Sequence, residues 1–575
     1  MQMTLVRERS DGMTAENRVS QRLALGEYDR ELEADVLVIG GSLAGTWAAI
    51  AAAREGATVV IADKGYVGAS GPIAAGSVGA YFAKPDDDIQ NDVMVNARMP
   101  LAFGLADSRW GKKILEQTYW ALEWSAQWGF EWPKVKDGRE YRGQITPNYL
   151  AFLREQVIKH GVTVLDNSPA LELLKADEVV AGAAGVARRT GETWVVRAGA
   201  VVVATGGTGF LAGSSGAGTN TGDGYLLAAE AGAQFSGMEF SGQFHIKPHG
   251  SPSSKGAYRS AGVLTDNNGN VVNLGRQLAQ AIVETGAAYD KWEDLPDEEL
   301  KDLLIKTPYV CTQYFEDAGI DPFKEKYEVD WICEGTMRAT GGIEVNDDLQ
   351  TNVPGLFASG DVASREKVNG AGPPGGGPAA GWAIGAGFFS GQAAARFALV
   401  NGNAGKSGKA KPVGGAGLRP TDAAQAIDPK QVVGKVQEHM LAIDKNFWRD
   451  GASLSSSLAE YNSLWQQIRK SLAPSPAEDL RSAARATLRT REAASLLATA
   501  RWINASALER KETRGLHRRI DYPNLDISQT HHLISGGVDE VWVKVKPVDP
   551  TAEFPDKEKF FPDSAVQHAP LEKIA

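Results

Sequence analysis

Cysteine is nearly absent from this chain: Cys311 and Cys333 are the only two in 575 residues. The chain therefore has no ligand set for a four-cysteine iron–sulfur cluster, and electrons reaching a redox group in it must leave to another molecule. A reducing compartment disfavours a disulfide, so both thiols are expected to be buried packing residues. Long apolar runs are missing too. No stretch of eighteen or more uninterrupted apolar residues occurs, and residues 1–30 are charged and polar, with neither an apolar signal core nor a twin-arginine motif. A cytoplasmic protein without membrane insertion is expected. Positive charge is in deficit, with 60 Lys and Arg against 71 Asp and Glu, and the net charge of −11 argues against a nucleic-acid or anionic membrane surface. The length is enough for about three or four domains with large cores.

Glycine is plentiful, and it concentrates in three stretches far apart along the chain. The first, Asp35-Val36-Leu37-Val38-Ile39-Gly40-Gly41-Ser42-Leu43-Ala44-Gly45, reads as a buried strand breaking into a tight turn. An alanine-rich helix follows over residues 46–54, then a second strand over 57–62 with Asp63 at its tip. In such a unit the helix start receives a pyrophosphate and the acid accepts from a ribose hydroxyl. Ser42 stands where G-x-G-x-x-G has its second glycine, which narrows the backbone approach.

The other two stretches separate flavin from nicotinamide. Ala200-Val201-Val202-Val203-Ala204-Thr205-Gly206-Gly207 reads as a strand ending in Thr-Gly-Gly, and Gly355-Leu356-Phe357-Ala358-Ser359-Gly360-Asp361 as one ending in Gly-Asp. Flavoproteins of the two-domain Rossmann type are similar, with the Gly-Asp or Gly-Glu carboxylate meeting the ribityl and pyrophosphate region. Residues 370–381 then lead into an Ala/Gly helix whose amino end suits the electron-rich edge of a flavin. A simple nicotinamide dehydrogenase has no need of these distant returns.

Along the chain, residues 1–32 read as an irregular arm. A dinucleotide domain over 33–234 and 341–400 is interrupted by a capping domain over 235–340. Residues 401–427 are rich in Gly, Lys, Pro and Ala and read as a surface linker. Amphipathic helices broken near Pro474 and Pro476 occupy 428–515, and a small C-terminal domain over 516–575 holds one good strand, 538–545. Helical spacing within 90–130 and over 278–285 and 297–305, and short strands at 162–165 and within 179–203, complete the pattern.

Three motifs together resemble the flavoprotein subunits of succinate dehydrogenase and fumarate reductase, a group that includes L-aspartate oxidase and adenylylsulfate reductase. They are Thr219-Asn220-Thr221-Gly222-Asp223-Gly224-Tyr225 with Gln243-Phe244-His245 after it, Gly341-Gly342-Ile343-Glu344, and Glu512-Thr513-Arg514-Gly515-Leu516-His517-Arg518-Arg519-Ile520-Asp521-Tyr522-Pro523. The resemblance implies an α/β, two-domain Rossmann-type FAD-binding fold with an inserted α+β capping domain, a C-terminal helical domain and a small C-terminal domain. The flavin-binding residues it points to are Gly40, Ser42, Ala44 and Gly45 in the first turn, and Asp63 and Lys64 at the strand tip. Ser70, Gly71 and Gly76 follow in the next loop, then Ala170, Ala204, Thr205, Gly206 and Asp223. Gly360, Asp361, Pro378 and Ala379 come from the last stretch.

Departures from the family pattern carry information. In the quinone-linked members a histidine after the serine of an S-H-x-x-A-x-G-G loop bonds FAD covalently; Gly71 stands there, so FAD is expected to be noncovalent. Members acting on C4 dicarboxylates have a histidine where this chain has Met337, and an arginine in a segment matching Asn369-Gly370-Ala371-Gly372-Pro373. Both carboxylate-holding groups are missing, so a substrate other than succinate, fumarate or aspartate is expected. Arg338, Arg259 and Lys247 are alternative anion clamps or surface residues. His245 matches the family's substrate-binding histidine and Arg276 its proton-relaying arginine, while a structural histidine and a capping arginine remain the plain readings. His517 and Arg514 fit a structural hinge as well as chemistry.

The expected function is an FAD-dependent oxidoreductase passing a hydride between flavin N5 and an enclosed substrate, with a ferredoxin-like iron–sulfur protein as electron partner. The alternatives are an adenylylsulfate reductase-like enzyme on a sulfur or nucleotide-linked substrate, an oxygen-using oxidase, and a flavoprotein subunit that only relays electrons.

Overall fold

The computed structural model describes residues 15–85, 88, 98–134, 138, 140–251, 262–292, 309–373, 375–407, 409–422 and 426–553. Its centre is an eight-stranded sheet in which Thr163–Leu165, Val59–Ala62, Arg30–Ile39 and Thr193–Val203 run parallel in that order. All four residues of Val59–Ala62 and the last four of Arg30–Ile39 are buried, as expected of parallel strands covered on both faces. The long strand Thr193–Val203 belongs to two environments. It pairs parallel with Arg30–Ile39 along its length, and on its other side its first half pairs antiparallel with Val179–Val186 and its end parallel with Leu356–Ala358. The meander is thus continuous with the nucleotide-binding sheet, and Ala204 and Ser359 arrive together beyond its carboxyl edge.

Small residues set the spacing on one face. A β-carbon on Gly387 would lie 2.4 Å from the Ala44 carbonyl oxygen, and one on Gly391 2.0 Å from that of Ala48. Helix Gly376–Asn401 therefore lies directly on helix Leu43–Arg54, and the amino ends of both reach the same edge of the sheet. Gly376–Asn401 is the one described helix long and apolar enough to cross a membrane, and it is packed into this core.

A second sheet, ordered Gln243–Pro248, Tyr327–Gly335, Ala288–Trp292, Gly262–Asp266, forms the capping region with helix Arg276–Thr285 against it. A third joins Gly342–Ile343, Phe235–Ser236, His531–Gly536 and Trp542–Pro547, tying both ends of the cap segment to a C-terminal hairpin. Helices Pro429–Met440, Gly451–Ser471 and Leu480–Glu509 make the helical region, with Asp428, Asp450 and Asp479 as N-caps.

Three sequence expectations need correction. The arm read as irregular contains helix Ala15–Leu25, whose Val19 and Leu23 are buried against helix Leu480–Glu509 and the sheet, and the first strand begins at Arg30. The stretch read as a surface linker is packed: Lys411–Pro412 adds an edge strand beside Ala170–Ala176, Ala416 and Leu418 are buried, and Glu230 accepts from the Gly415 amide. Such an edge takes proline and lysine and needs no apolar alternation. The single C-terminal strand is one arm of the hairpin His531–Gly536 and Trp542–Pro547. The helix expected at 297–305 and the helical spacing over 90–97 lie outside the described residues.

Candidate functional site

A cavity of about 500 Å³ opens at the carboxyl edge of the parallel strands. Its floor is the first glycine turn. Gly40 sits at φ +109°, and a β-carbon there would lie 2.3 Å from the Ala204 carbonyl oxygen. One on Gly45 would lie 1.7 Å from the Gly40 carbonyl oxygen, so the helix start is locked onto the strand end. At the next strand tip Asp63 is buried. Its carboxylate accepts from the amides of Gly41 and Gly65, each at 2.6 Å, and from Ser70 Oγ at 2.5 Å. It is thereby fixed as an acceptor facing the cavity.

Lys64 ties this tip to distant helices. Its ammonium donates to Asp223 at 2.6 Å, Glu492 at 2.9 Å and Thr221 Oγ at 2.8 Å. Burial opposes its charge, but the two carboxylates hold it above the usual lysine range. At the third stretch Gly360 is at φ +72° and its carbonyl accepts from Trp382 Nε1 at 2.9 Å, while Asp361 pairs with Arg365 at 2.9 Å. The start of helix Gly376–Asn401 forms the opposite wall through Gly376, Ala379, Ala380 and Ala383, so its unpaired first amides are available to an electron-rich ligand.

Acceptor carboxylates, two helix starts and glycine-lined backbone along one cleft make a cradle for a dinucleotide. A family profile described as FAD binding domain matches residues 35–378, and one described as fumarate reductase flavoprotein C-term matches 436–560. The chain belongs to the succinate dehydrogenase and fumarate reductase family of FAD-dependent oxidoreductases. It is 27% identical to one of the subunits of the CoM/CoB fumarate reductase of Methanothermobacter marburgensis, over 85% of this chain and 95% of that one. It is 26% identical to the L-aspartate oxidase of Mycobacterium tuberculosis, over 88% and 96%. In fold it is similar to the quinol fumarate reductase of E. coli, with a TM-score of 0.75 at 22% identity, covering 92% of this chain and 99% of that one.

FAD is the cofactor. Of the residues expected from sequence, Gly40, Ser42, Ala44, Asp63, Lys64, Ser70, Gly71, Ala170, Ala204, Thr205, Gly206, Asp223, Gly360, Asp361 and Ala379 line the cavity. Gly45, Gly76 and Pro378 do not: Gly45 lies behind the turn, Gly76 ends the short turn Pro72–Ala75, and Pro378 sits in the first turn of its helix. Gly71 is at φ +77°, and a β-carbon there would lie 3.1 Å from Ser42 Oγ. Sequence reasoning did not name Val78, Gly79 and Gln144, which also line the cavity and come from a short strand pair that nothing in their periodicity announces, or Tyr141, which lines it from just before the second of these strands.

His245 lines the same cavity from the cap sheet, its Nδ1 donating to the Ile246 carbonyl at 2.7 Å. Arg276 does not line it. That side chain is half-buried, 6.0 Å over the ring of Trp448, and burial lowers its pKa. Among the alternative clamps, Arg338 lines the cavity but is paired with Glu334, and Lys247 faces Asp330 at 3.7 Å. Arg259 lies outside the described residues. Met337 is buried, with Cε 2.7 Å from where a Gly209 β-carbon would stand, and the Pro373 carbonyl accepts from Arg98 Nη2 at 3.1 Å.

The Arg-Gly-x-His motif is a buried polar joint. Arg510 pairs with Glu239 at 2.8 Å and Glu512 at 2.9 Å, and Arg514 pairs with Glu512 at 2.6 Å. His517 Nε2 donates to the Arg510 carbonyl at 3.0 Å and its Nδ1 accepts from Arg449 Nη1 at 3.0 Å. Burial and Arg449 push its pKa well below the usual value, so it is neutral. Burial likewise pushes the Cys333 thiol up to about 12, which leaves it inert. Nothing is described of the Cys311 side chain.

Proposed function

We propose that this family member moves a hydride between its flavin and an enclosed substrate other than a C4 dicarboxylate, and hands the electrons to a separate ferredoxin-like iron–sulfur protein. Met337 is the observation that carries the substrate reading. An apolar, buried side chain packed on Gly209 offers nothing to a carboxylate at the position where the dicarboxylate enzymes use a histidine. The electron partner follows from a chain with two cysteines that has no cluster of its own. Relatives named as subunits agree with that. A cytoplasmic location without membrane insertion belongs to the same reading.

Bound FAD supplies the two-electron chemistry. When FAD is bound, Asp63 would accept from the ribose, the start of helix Leu43–Arg54 would hold the pyrophosphate, and the start of Gly376–Asn401 would polarise the flavin edge. His245, its Nδ1 bonded to the Ile246 carbonyl, helps orient the substrate from the cavity wall. Arg276 is the proton relay at substrate carbon, and the burial that lowers its pKa favours giving the proton up.

Anaerobic mixing tests the reading. The FAD-loaded protein should not bleach with succinate, and the dithionite-reduced protein should not reoxidise with fumarate. Rapid change with either dicarboxylate refutes the substrate assignment.

A further inference from the structure

Three guanidiniums converge where helix Arg276–Thr285, the π-helical turn Ile443–Phe447 and the segment after Gly515 meet, and none forms an ion pair among the described residues. Arg449 is buried with neutral partners: the Asn446 carbonyl and Oδ1, the Glu239 carbonyl and His517. Arg518 is half-buried. Its Nη1 donates to the Gly242 carbonyl at 3.2 Å and the Leu516 carbonyl at 3.3 Å, and its guanidinium lies 4.1 Å over the ring of Phe447. Arg276 stands over the neighbouring ring, Trp448, and makes no hydrogen bond among the described residues.

Elsewhere the chain balances such groups. Arg510 and Arg514 meet Glu239 and Glu512, Arg491 meets Glu230, and Arg338 in the cavity meets Glu334. Half-buried cations left without counter-charge are costly unless an anion arrives. Burial, together with Arg276 and Arg449, pushes Arg518 well below the usual arginine range. Burial also depresses Arg449, to about 10. The backbone that Arg518 grips, at Gly242, is three residues before His245 in the cavity wall.

We propose that Arg518 holds a terminal oxyanion of the substrate, a carboxylate or a phosphate, with Phe447 and Trp448 as the apolar walls of this clamp and Arg276 beside it left for the proton step. The clamp rests on reading the His245 cavity as the substrate site, and it takes over the anchoring that Met337 and Pro373 cannot provide. A guanidinium held on an aromatic face suits an oxyanion at the end of a larger body. Arg518 is then a specificity-determining residue contributed by the doubled arginine of the C-terminal motif.

Isothermal titration calorimetry of the full-length FAD-loaded protein with benzoate, and separately with inorganic phosphate, at constant ionic strength in chloride, tests this. Saturable binding of at least one is expected; benzoate alone assigns a carboxylate and phosphate alone a phosphate. Arg518→Leu should weaken it about tenfold or more, with Arg518→Lys falling between. Because the leucine variant removes an unbalanced charge, it should melt no lower than the parent in anion-free buffer, whereas loss of a merely structural arginine lowers the melting temperature. Absence of saturable binding to both anions, undiminished binding in Arg518→Leu, or a lowered melting temperature in that variant would overturn the clamp. Flavin absorbance is read on the same samples. A parent protein that holds FAD but binds neither anion rejects the clamp alone, and a parent protein that holds no FAD rejects the flavin-site reading instead.

Discussion

Replacing Gly45 by valine tests the first turn most directly. The β-carbon would stand 1.7 Å from the Gly40 carbonyl oxygen, when real β-carbons essentially never come within 3.0 Å of a neighbour, so an opening of more than an ångström is needed before the two methyls are placed. The obstacle is backbone, which cannot rotate away. Gly40 is itself held 2.3 Å, by the same measure, from Ala204, so the strain passes to the strand end that carries Ala204 and Thr205. Overpacking of this kind costs about 1–3 kcal/mol, and helix Leu43–Arg54 can relieve it only by lifting its amino end out of the cavity wall. If that cost falls mainly on the bound state, at ~1.4 kcal/mol per decade FAD affinity drops about 10- to 100-fold. Fluorescence titration of the apoprotein with FAD measures it. Gly434→Ala, in helix Pro429–Met440 with nothing within 4 Å of the new methyl, is the control and should hold FAD normally. Parental FAD affinity in Gly45→Val would refute the assignment of this turn.

Acid precipitation should release all of the flavin as free FAD, because Gly71 offers no nucleophile in the cavity wall; colour that stays with the pellet contradicts this. Arg276→Ala should keep FAD and slow flavin reduction by the true substrate about 10²-fold, while reoxidation by an artificial acceptor is unchanged. Stopped-flow measurement of the two half-reactions decides it, and parental reduction rates would make Arg276 structural. Glu172 is fully buried beside Arg419, and burial outweighs that partner to push its pKa up to about 7. The native state then holds an extra proton between pH 4.5 and about 7, so stability from this group is present below that window and is lost as pH rises through it, by about 3 kcal/mol in all. Glu172→Gln should flatten the pH dependence of urea stability across this window; parallel curves for parent and variant would show that Glu172 titrates normally.

Contiguous segments were legible before any coordinates. The apolar run ending at Gly40, the acid at Asp63 and the Thr-Gly-Gly and Gly-Asp returns each carry their meaning within a dozen residues, because strand, turn and helix start are local events with local periodicities. The structure gathers their residues along one cavity. Local signals failed where a neighbour far along the chain decides the outcome. Residues 411–412 have no strand pattern and become an edge strand only because Ala170–Ala176 presents an open edge to them. Helix Ala15–Leu25 buries Val19 and Leu23 against partners more than a hundred residues away. The same holds for charge. Sequence offered Arg338 and Lys247 as anion clamps or surface residues and passed over Arg518, yet a cation is free for a ligand only if no carboxylate reaches it. Glu334 and Asp330 neutralise the first two, while Arg518 meets carbonyls, an aromatic face and other arginines. Residue type settles what a side chain can bind; which groups share its few cubic ångströms, and so whether it still has anything to bind, was decided by the tertiary packing of cap, helical region and C-terminal motif.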